Sequence, residues 1–195
     1  SEEIDFLVGN AIVRGNGVGQ PLGLLNSASK IEVAAETQAA NTLLQINVAK
    51  MWARLHPRSR SNAVWLHNVD IEPQLGQLST IVKDVAGTQN VGGYTNNIYD
   101  PQSRTIYGRP LVPCEYCSTL GTAGDLILWD PKGYVSGTRG GVDSAMSIHV
   151  GFVTAQTAFR FMFAVDGQPW LGSALTPAQG SNTLSTHITL ATRAG

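Results

Sequence analysis

Three sets of residues in this chain have the types and spacing that support chemistry elsewhere. Gly15, Gly17 and Gly19, followed by Pro21 and Gly23, lie in the stretch RGNGVGQPLGLLN at 14–26. A glycine-rich loop cradles phosphate when it follows a parallel strand and opens a helix, because backbone N–H groups and the helix N-terminus then meet the pyrophosphate. Here the order is reversed. The segment before Gly15 has helical periodicity, the spacing is G-x-G-x-G, and Pro21-Leu22-Gly23 stands where a binding helix would begin. Cys114 and Cys117, in PCEYC, have the spacing of a zinc half-site or a redox dithiol. Structural zinc needs two further ligands, and the four histidines, His56, His67, His149 and His187, are scattered singly. A redox dithiol belongs at a helix N-terminus that lowers its pKa, whereas PLVPCEYCSTLGTAG runs into a Gly/Ser/Thr loop; the expectation is two unconnected thiols. Ser, His and Asp are plentiful without a G-x-S-x-G elbow or an H-E-x-x-H pair. Glu2-Glu3 stands at a helix start, where acids compensate the dipole. These residues therefore predict no enzyme, no cofactor and no metal.

Composition narrows the alternatives further. With 13 Lys+Arg against 14 Asp+Glu the net charge is −1, so there is no global basic field to draw the chain onto nucleic acid or an anionic membrane. Charged residues make up 14% of the chain, against about 25% in ordinary soluble proteins. Gly, Ser, Thr, Asn and Gln take their place, and such surfaces meet other subunits without desolvating charge. The best apolar runs, DLILW and AFRFMFAV, are strand-sized and predict a soluble chain with no membrane span. The chain opens at Ser1 with no Met and no signal pattern, which predicts a fragment or a processed form.

The elements that must position these residues read as follows. EEIDFLVGNAIV (2–13) places Ile4, Leu7, Val8, Ala11 and Ile12 at helical spacing. A second helix runs from an N-cap at Asn41, with Leu44, Val48, Met51, Trp52 and Leu55 on one face, and stops at His56-Pro57. NAVWLHN (62–68) predicts a buried strand, and DIEPQLGQLST a third helix with Pro73 in its first turn. Residues 83–110 lack a period and predict a long loop carrying an interface or a site. Pro110 and Pro113 confine TIYGRPLVPCEY to an edge or a bulged strand. GDLILWD (124–130) predicts a short apolar strand. Beyond it Ile148, Val150 and Phe152, then Phe159, Phe161, Phe163 and Val165, alternate along two strands. Asp166-Gly167 is a hairpin turn signal, with QPWLGSAL returning. Leu184, Thr186, Ile188 and Leu190 share one side of a last strand, leaving His187 solvated on the other with Ser185 and Thr189.

The order of these pieces resembles the major capsid proteins of tailed bacteriophages. In that family a helix ending F-x-x-G-x-G-x-G-x-P-x-G-I-L precedes a helix with a tryptophan, a strand, and a helix of the type L-x-x-L-K-D. G-x-P-V follows, then G-D-I with an aspartate and a tyrosine, and a terminal R-x-D-G strand pair. Phe6 to Leu25, Trp52, QLSTIVKD, YGRPLV, GDLILWDPKGY and FRFMFAVDGQPW correspond here. Two departures stand out: VRGN lengthens the first motif, and VDG lacks the arginine before it unless Arg160 fills that place.

The resemblance implies an α+β chain of the Hong Kong 97 type, without the N-terminal arm and extended hairpin. Its peripheral lobe would comprise 1–32 and 146–195, with the end of the spine helix and the terminal strands, and its axial α/β lobe 33–145. Gly15, Gly17, Gly19, Pro21 and Gly23 would then be a structural turn out of the spine helix, anchored by Leu22, Leu24 and Leu25. The implied function is that of a phage or prophage shell subunit, assembled in the bacterial cytoplasm and residing in the virion. Its partners would be copies of itself in pentamers and hexamers, scaffold, portal or decoration proteins, and packaged DNA without sequence-specific contact. An encapsulin-like compartment shell is the nearest rival, and a small α/β enzyme or metal- or nucleotide-binding module the distant one.

Overall fold

The structure is a computed structural model that describes residues 2–76, 78–83, 90–97, 99–100 and 103–193. Helix α1 (Glu2–Arg14) carries Glu2, Glu3 and Asp5 in its first turn and Arg14 in its last, the charge order its dipole favours. Only its final turn is deeply inserted: Ala11 and Val13 are buried, while Leu7, which periodicity places inward, is exposed. Strand β1 (Ile31–Val33) follows a single 3-10 turn at Leu24–Asn26.

Helix α2 (Gln45–Arg54) starts later than the sequence predicts. Asn41 is not its cap: it sits at φ +54, and its N–H donates to Arg193 O at 3.1 Å. Asn47 closes the helix start from inside, its Oδ1 accepting from Leu44 N–H at 2.9 Å. Val48, Met51 and Leu55 fill the core, as their spacing requires. Strand β2 (Val64–His67) leads through a 3-10 turn into α3 (Glu72–Leu75), with Pro73 in the first turn. That helix is one turn long, because the chain from Ser79 is already extended.

The predicted loop at 83–110 is largely extended where it is described. β3 (Ser79–Lys83) pairs antiparallel with β4 (Asn90–Asn97), and β5 (Tyr99–Asp100) and β6 (Thr105–Ile106) follow. β4 is rich in Gly and Asn, so no apolar period announced it. Residues 84–89, 98, 101 and 102 of that reading lie outside the described residues.

A seven-stranded sheet runs in the order β1-β11-β8-β2-β7-β6-β5, with β7 (Arg109–Pro113), β8 (Leu126–Trp129) and β11 (His187–Leu190). β7 is internal, between β2 and β6, although its prolines predict an edge or a bulge. Pro110 and Pro113 flank the paired centre, and neighbouring amides carry the bonds: Leu111 N–H to Arg104 O at 2.9 Å and Cys114 N–H to His67 O at 2.8 Å. Alternate residues face two cores. Trp65, Leu126, Leu128, Ile188 and Leu190 pack against α2 and α3, while Leu66 and Ile127 meet Val13, Leu24 and Cys117 on the other face.

β11 corrects a further expectation. All four of its residues are buried, since β1 lies on one side, β8 on the other, and both faces are covered. His187 is therefore a core residue, 0% exposed. The strand pairs within this sheet and not with the terminal ribbon.

That ribbon is β9 (Tyr134–Gly151) against β10 (Gln156–Pro169). Its turn is Phe152–Thr154, closed by Ala155 at φ +55. Asp166-Gly167, expected to turn, lies inside β10 opposite Gly137 and Ser136. Gly167 is there for space: a Cβ would stand 2.7 Å from the Tyr134 ring.

Candidate functional site

The glycine stretch closes on itself. Gly15 N–H continues the helix ladder to Ala11 O at 2.8 Å, and Gly23 N–H donates to Gly15 O at 2.8 Å. Asn16 and Leu22 form an antiparallel bridge across the loop. Asn16 Oδ1 accepts from Val18 N–H at 3.0 Å and Gln20 Nε2 at 2.8 Å. Gly17 and Gly19 hold φ +77 and +66, a region that L side chains enter at about 1–2 kcal/mol. At Gly15 a Cβ would stand 2.0 Å from Pro21 O, and at Gly23 2.5 Å from Gly15 N. Amides turned inward in this way do not form a phosphate cradle, and only a three-residue 3-10 turn follows.

The loop's far side is tied to the ribbon and the sheet. Leu22 N–H donates to Gly167 O at 2.8 Å, and Tyr134 Oη donates to Leu22 O at 3.0 Å. Burial pushes the Tyr134 phenol up to about 12, so it remains the protonated donor. Asn26 Nδ2 donates to Arg14 O at 2.7 Å and Gly15 O at 3.0 Å. Leu24 is fully buried, and Leu22 and Leu25 half-buried.

Cys114 and Cys117 are free thiols in the turn after β7. The histidines stay apart. His56 Nδ1 accepts from Arg58 N–H at 3.3 Å, His67 is buried with Nδ1 2.9 Å from Asn68 O, and His149 is exposed on the ribbon. His187 is held down at about 4 by burial, with the Lys30 charge adding to the effect.

The sequence reading passes over one buried ion pair, Asp125 with Arg193, both wholly enclosed. Arg193 Nε also donates to Thr42 O at 2.7 Å and its Nη1 to Ala191 O at 3.2 Å. Asp125 accepts from Gly121 N–H at 2.9 Å and Leu126 N–H at 2.8 Å. Burial pushes its carboxyl up, and the guanidinium and these amides counter that. The pair clamps the chain's last strand to the loops before α2 and β8.

The ribbon presents many exposed apolar side chains. Register pairs Phe159 with Met146 and Phe161 with Ser144, so by alternation Ile148, Met146, Phe159 and Phe161 share one face. Phe159 and Phe161 are 65% and 67% exposed. Past a register irregularity between Met162 and Ala164, Phe163 and Val165 are half-buried. These two line a groove of about 790 Å³ against Leu7, Val8 and Ala11 of α1. Among the described residues, no helix is long and apolar enough to cross a membrane.

Comparison with known proteins bears on what such a surface serves. No curated protein sequence matches this chain significantly. Among the solved structures that match in fold are the capsid of an empty GTA particle and that of a native GTA particle, both computed with C5 symmetry. Each has a TM-score of 0.65 at 16% identity, over 100% of this chain and 63% of theirs. The chain thus spans less than two thirds of the length of these neighbours. The model of the phage capsid family matches residues 1–180, a span that runs from α1 through the glycine turn, the whole ribbon and every strand of the sheet except β11. The chain belongs to the phage capsid family.

Proposed function

We propose that this chain acts as a structural subunit of a phage or prophage capsid shell, associating with copies of itself around packaged DNA. The observation that carries the reading is the bare apolar face of the β9–β10 ribbon. A two-stranded ribbon is marginal in water on its own, and an exposed face bearing Phe159, Phe161, Met146 and Ile148 is the mark of an association surface. Family membership makes the partner a second copy. Pentamer and hexamer contacts, scaffold and portal partners, and assembly in the host cytoplasm are the finer parts of the same proposal.

In this reading α1 and the ribbon form the peripheral lobe, and α2, α3 and the seven-stranded sheet the axial one. The pairing of β11 with β1 and β8 supports one change to the boundaries: the last strand goes with the axial lobe. Gly15, Gly17, Gly19, Pro21 and Gly23 act as the turn between the lobes. Expression from the complete reading frame, followed by electron microscopy, tests the proposal. Closed shells or capsomer-sized rings are expected; dispersed monomers across a range of salt and concentration would overturn it. Neighbouring terminase and portal genes distinguish it from a compartment shell, whose neighbour is a cargo enzyme.

A further inference from the structure

The shell reading makes no use of Cys114 and Cys117. Cys117 N–H donates to Cys114 O at 3.3 Å, closing a four-residue turn. Such a turn holds its end Cα atoms within about 7 Å, close to the 4.4–6.8 Å span that a disulfide bridges. The turn makes the two cysteines neighbours, and Cys117 acts on the Cys114 thiol as a hydrogen-bonding partner. Their surroundings differ. Cys117 is 3% exposed, packed with Val13, Leu24, Leu66 and Ile127, and its thiol is pushed up by the bond to Cys114 and by burial. Cys114 is half-buried and lines an apolar cleft of about 370 Å³ between α1 and the ends of β2 and β7. The hydrogen bond from Cys117 lowers Cys114 to about 7, against its burial, and the Arg14 guanidinium contributes. A more accessible, more acidic sulfur beside a buried one divides the roles of attacking and resolving thiol. The sequence places no helix N-terminus after this pair; the turn and Arg14 supply the activation in its place.

We propose that Cys114 and Cys117 form a reversible dithiol–disulfide switch, oxidised by low-molecular-weight disulfides, that locks the seat of α1. In the first step Cys114 Sγ, as thiolate, attacks one sulfur of the small disulfide. A mixed disulfide forms, and one small thiolate leaves and takes a proton. Cys117 Sγ, losing its proton, then attacks Cys114 Sγ and expels the second small thiolate, which is protonated in turn. Two protein thiols lose two electrons and two protons, and one small disulfide becomes two thiols. The consequence lies in what the loop holds. Arg14 Nη2 donates to Ser118 Oγ at 3.0 Å and its Nε to Tyr116 O. The Tyr116 ring meets Phe6 edge-on at 5.2 Å and fills the space a side chain at Gly9 would need. Fixing Cys114 to Cys117 restricts the loop that receives α1 at Phe6, Gly9 and Arg14.

Titration of the purified protein with oxidised and reduced glutathione, followed by alkylation and intact mass, tests this. Wild-type protein is expected to lose the mass of two hydrogens with no retained adduct, and dithiothreitol to restore both thiols. Cys117→Ser should trap one glutathione, on Cys114; Cys114→Ser should take up none. The oxidised wild type should melt about 3–6 °C higher than the reduced form, a shift absent from both variants. An unchanged melting temperature of the reduced variants shows that they fold. Full alkylation of both thiols under excess oxidised glutathione, or equal adduct formation by the two variants, would overturn the proposal.

Discussion

β8 and the AFRFMFAV run of β10 are both strongly apolar in sequence and opposite in fate. Leu126, Ile127 and Leu128 are 0% exposed, whereas Phe159 and Phe161 are 65% and 67% exposed. β8 lies between β11 and β2 with a core on each face, so its cover comes from the same chain. β10 has one strand neighbour, β9, and is covered only toward its end, where Phe163 and Val165 line the groove against α1, Gly167 O meets Leu22 N–H and Pro169 is buried. An apolar alternation therefore states that a face is to be buried, and leaves open which chain buries it. The sheet takes its cover from its own chain; in the proposed reading the ribbon takes its cover from another copy.

The contrast can be broken most forcefully in the sheet. Arg193→Ala leaves Asp125 without its counter-ion in a closed site, held only by two backbone amides, and should cost about 3–5 kcal/mol in denaturant unfolding. Acid gives the next largest effect. Folded His187 titrates at about 4 against 6.5 in the unfolded chain, so the unfolded state takes up the proton first as pH falls. Stability is complete above about pH 6.5, declines by about 3 kcal/mol down to about pH 4, and is level below. His187→Leu should flatten that part of the stability–pH curve, measured by urea unfolding at each pH. Within the glycine turn, Gly15→Ala drives a methyl into Pro21 O and should cost about 2–3 kcal/mol. Gly19→Ala, at φ +66 with open space around it, should cost about 1 kcal/mol; paired thermal melts separate the two. Smallest of all is the ribbon. Phe159→Ser with Phe161→Ser should change subunit stability by no more than about 0.5 kcal/mol per site, yet abolish particle formation by light scattering.

The helices and inner strands were legible wherever one chain supplied both the pattern and its cover. α1, α2, β2 and β8 carry their periods or apolar runs locally, and the order of the motifs pointed to the family. The failures share a cause. Asn41 looked like a cap, but Arg193 from the far end of the chain takes its N–H. His187 alternates like a solvated residue, and only the placement of β11 between β1 and β8 encloses it. Asp166-Gly167 carries a turn signal overridden by long pairing with β9. Asp125 and Arg193 lie 68 positions apart in loops without a period, so no window of sequence joins them; the G-D of GDLILWD was the single trace. Each is a case of tertiary partners outweighing local preference.

Hydroxyl-radical footprinting of the ribbon in assembled particles and in dissociated subunits tests the central claim most directly. Oxidation of Met146, Phe159 and Phe161 should be high in the dissociated subunit and fall by about tenfold on assembly, while the sheet core stays protected in both. Equal oxidation of these three side chains in the two states would mean that the ribbon is not what the shell covers.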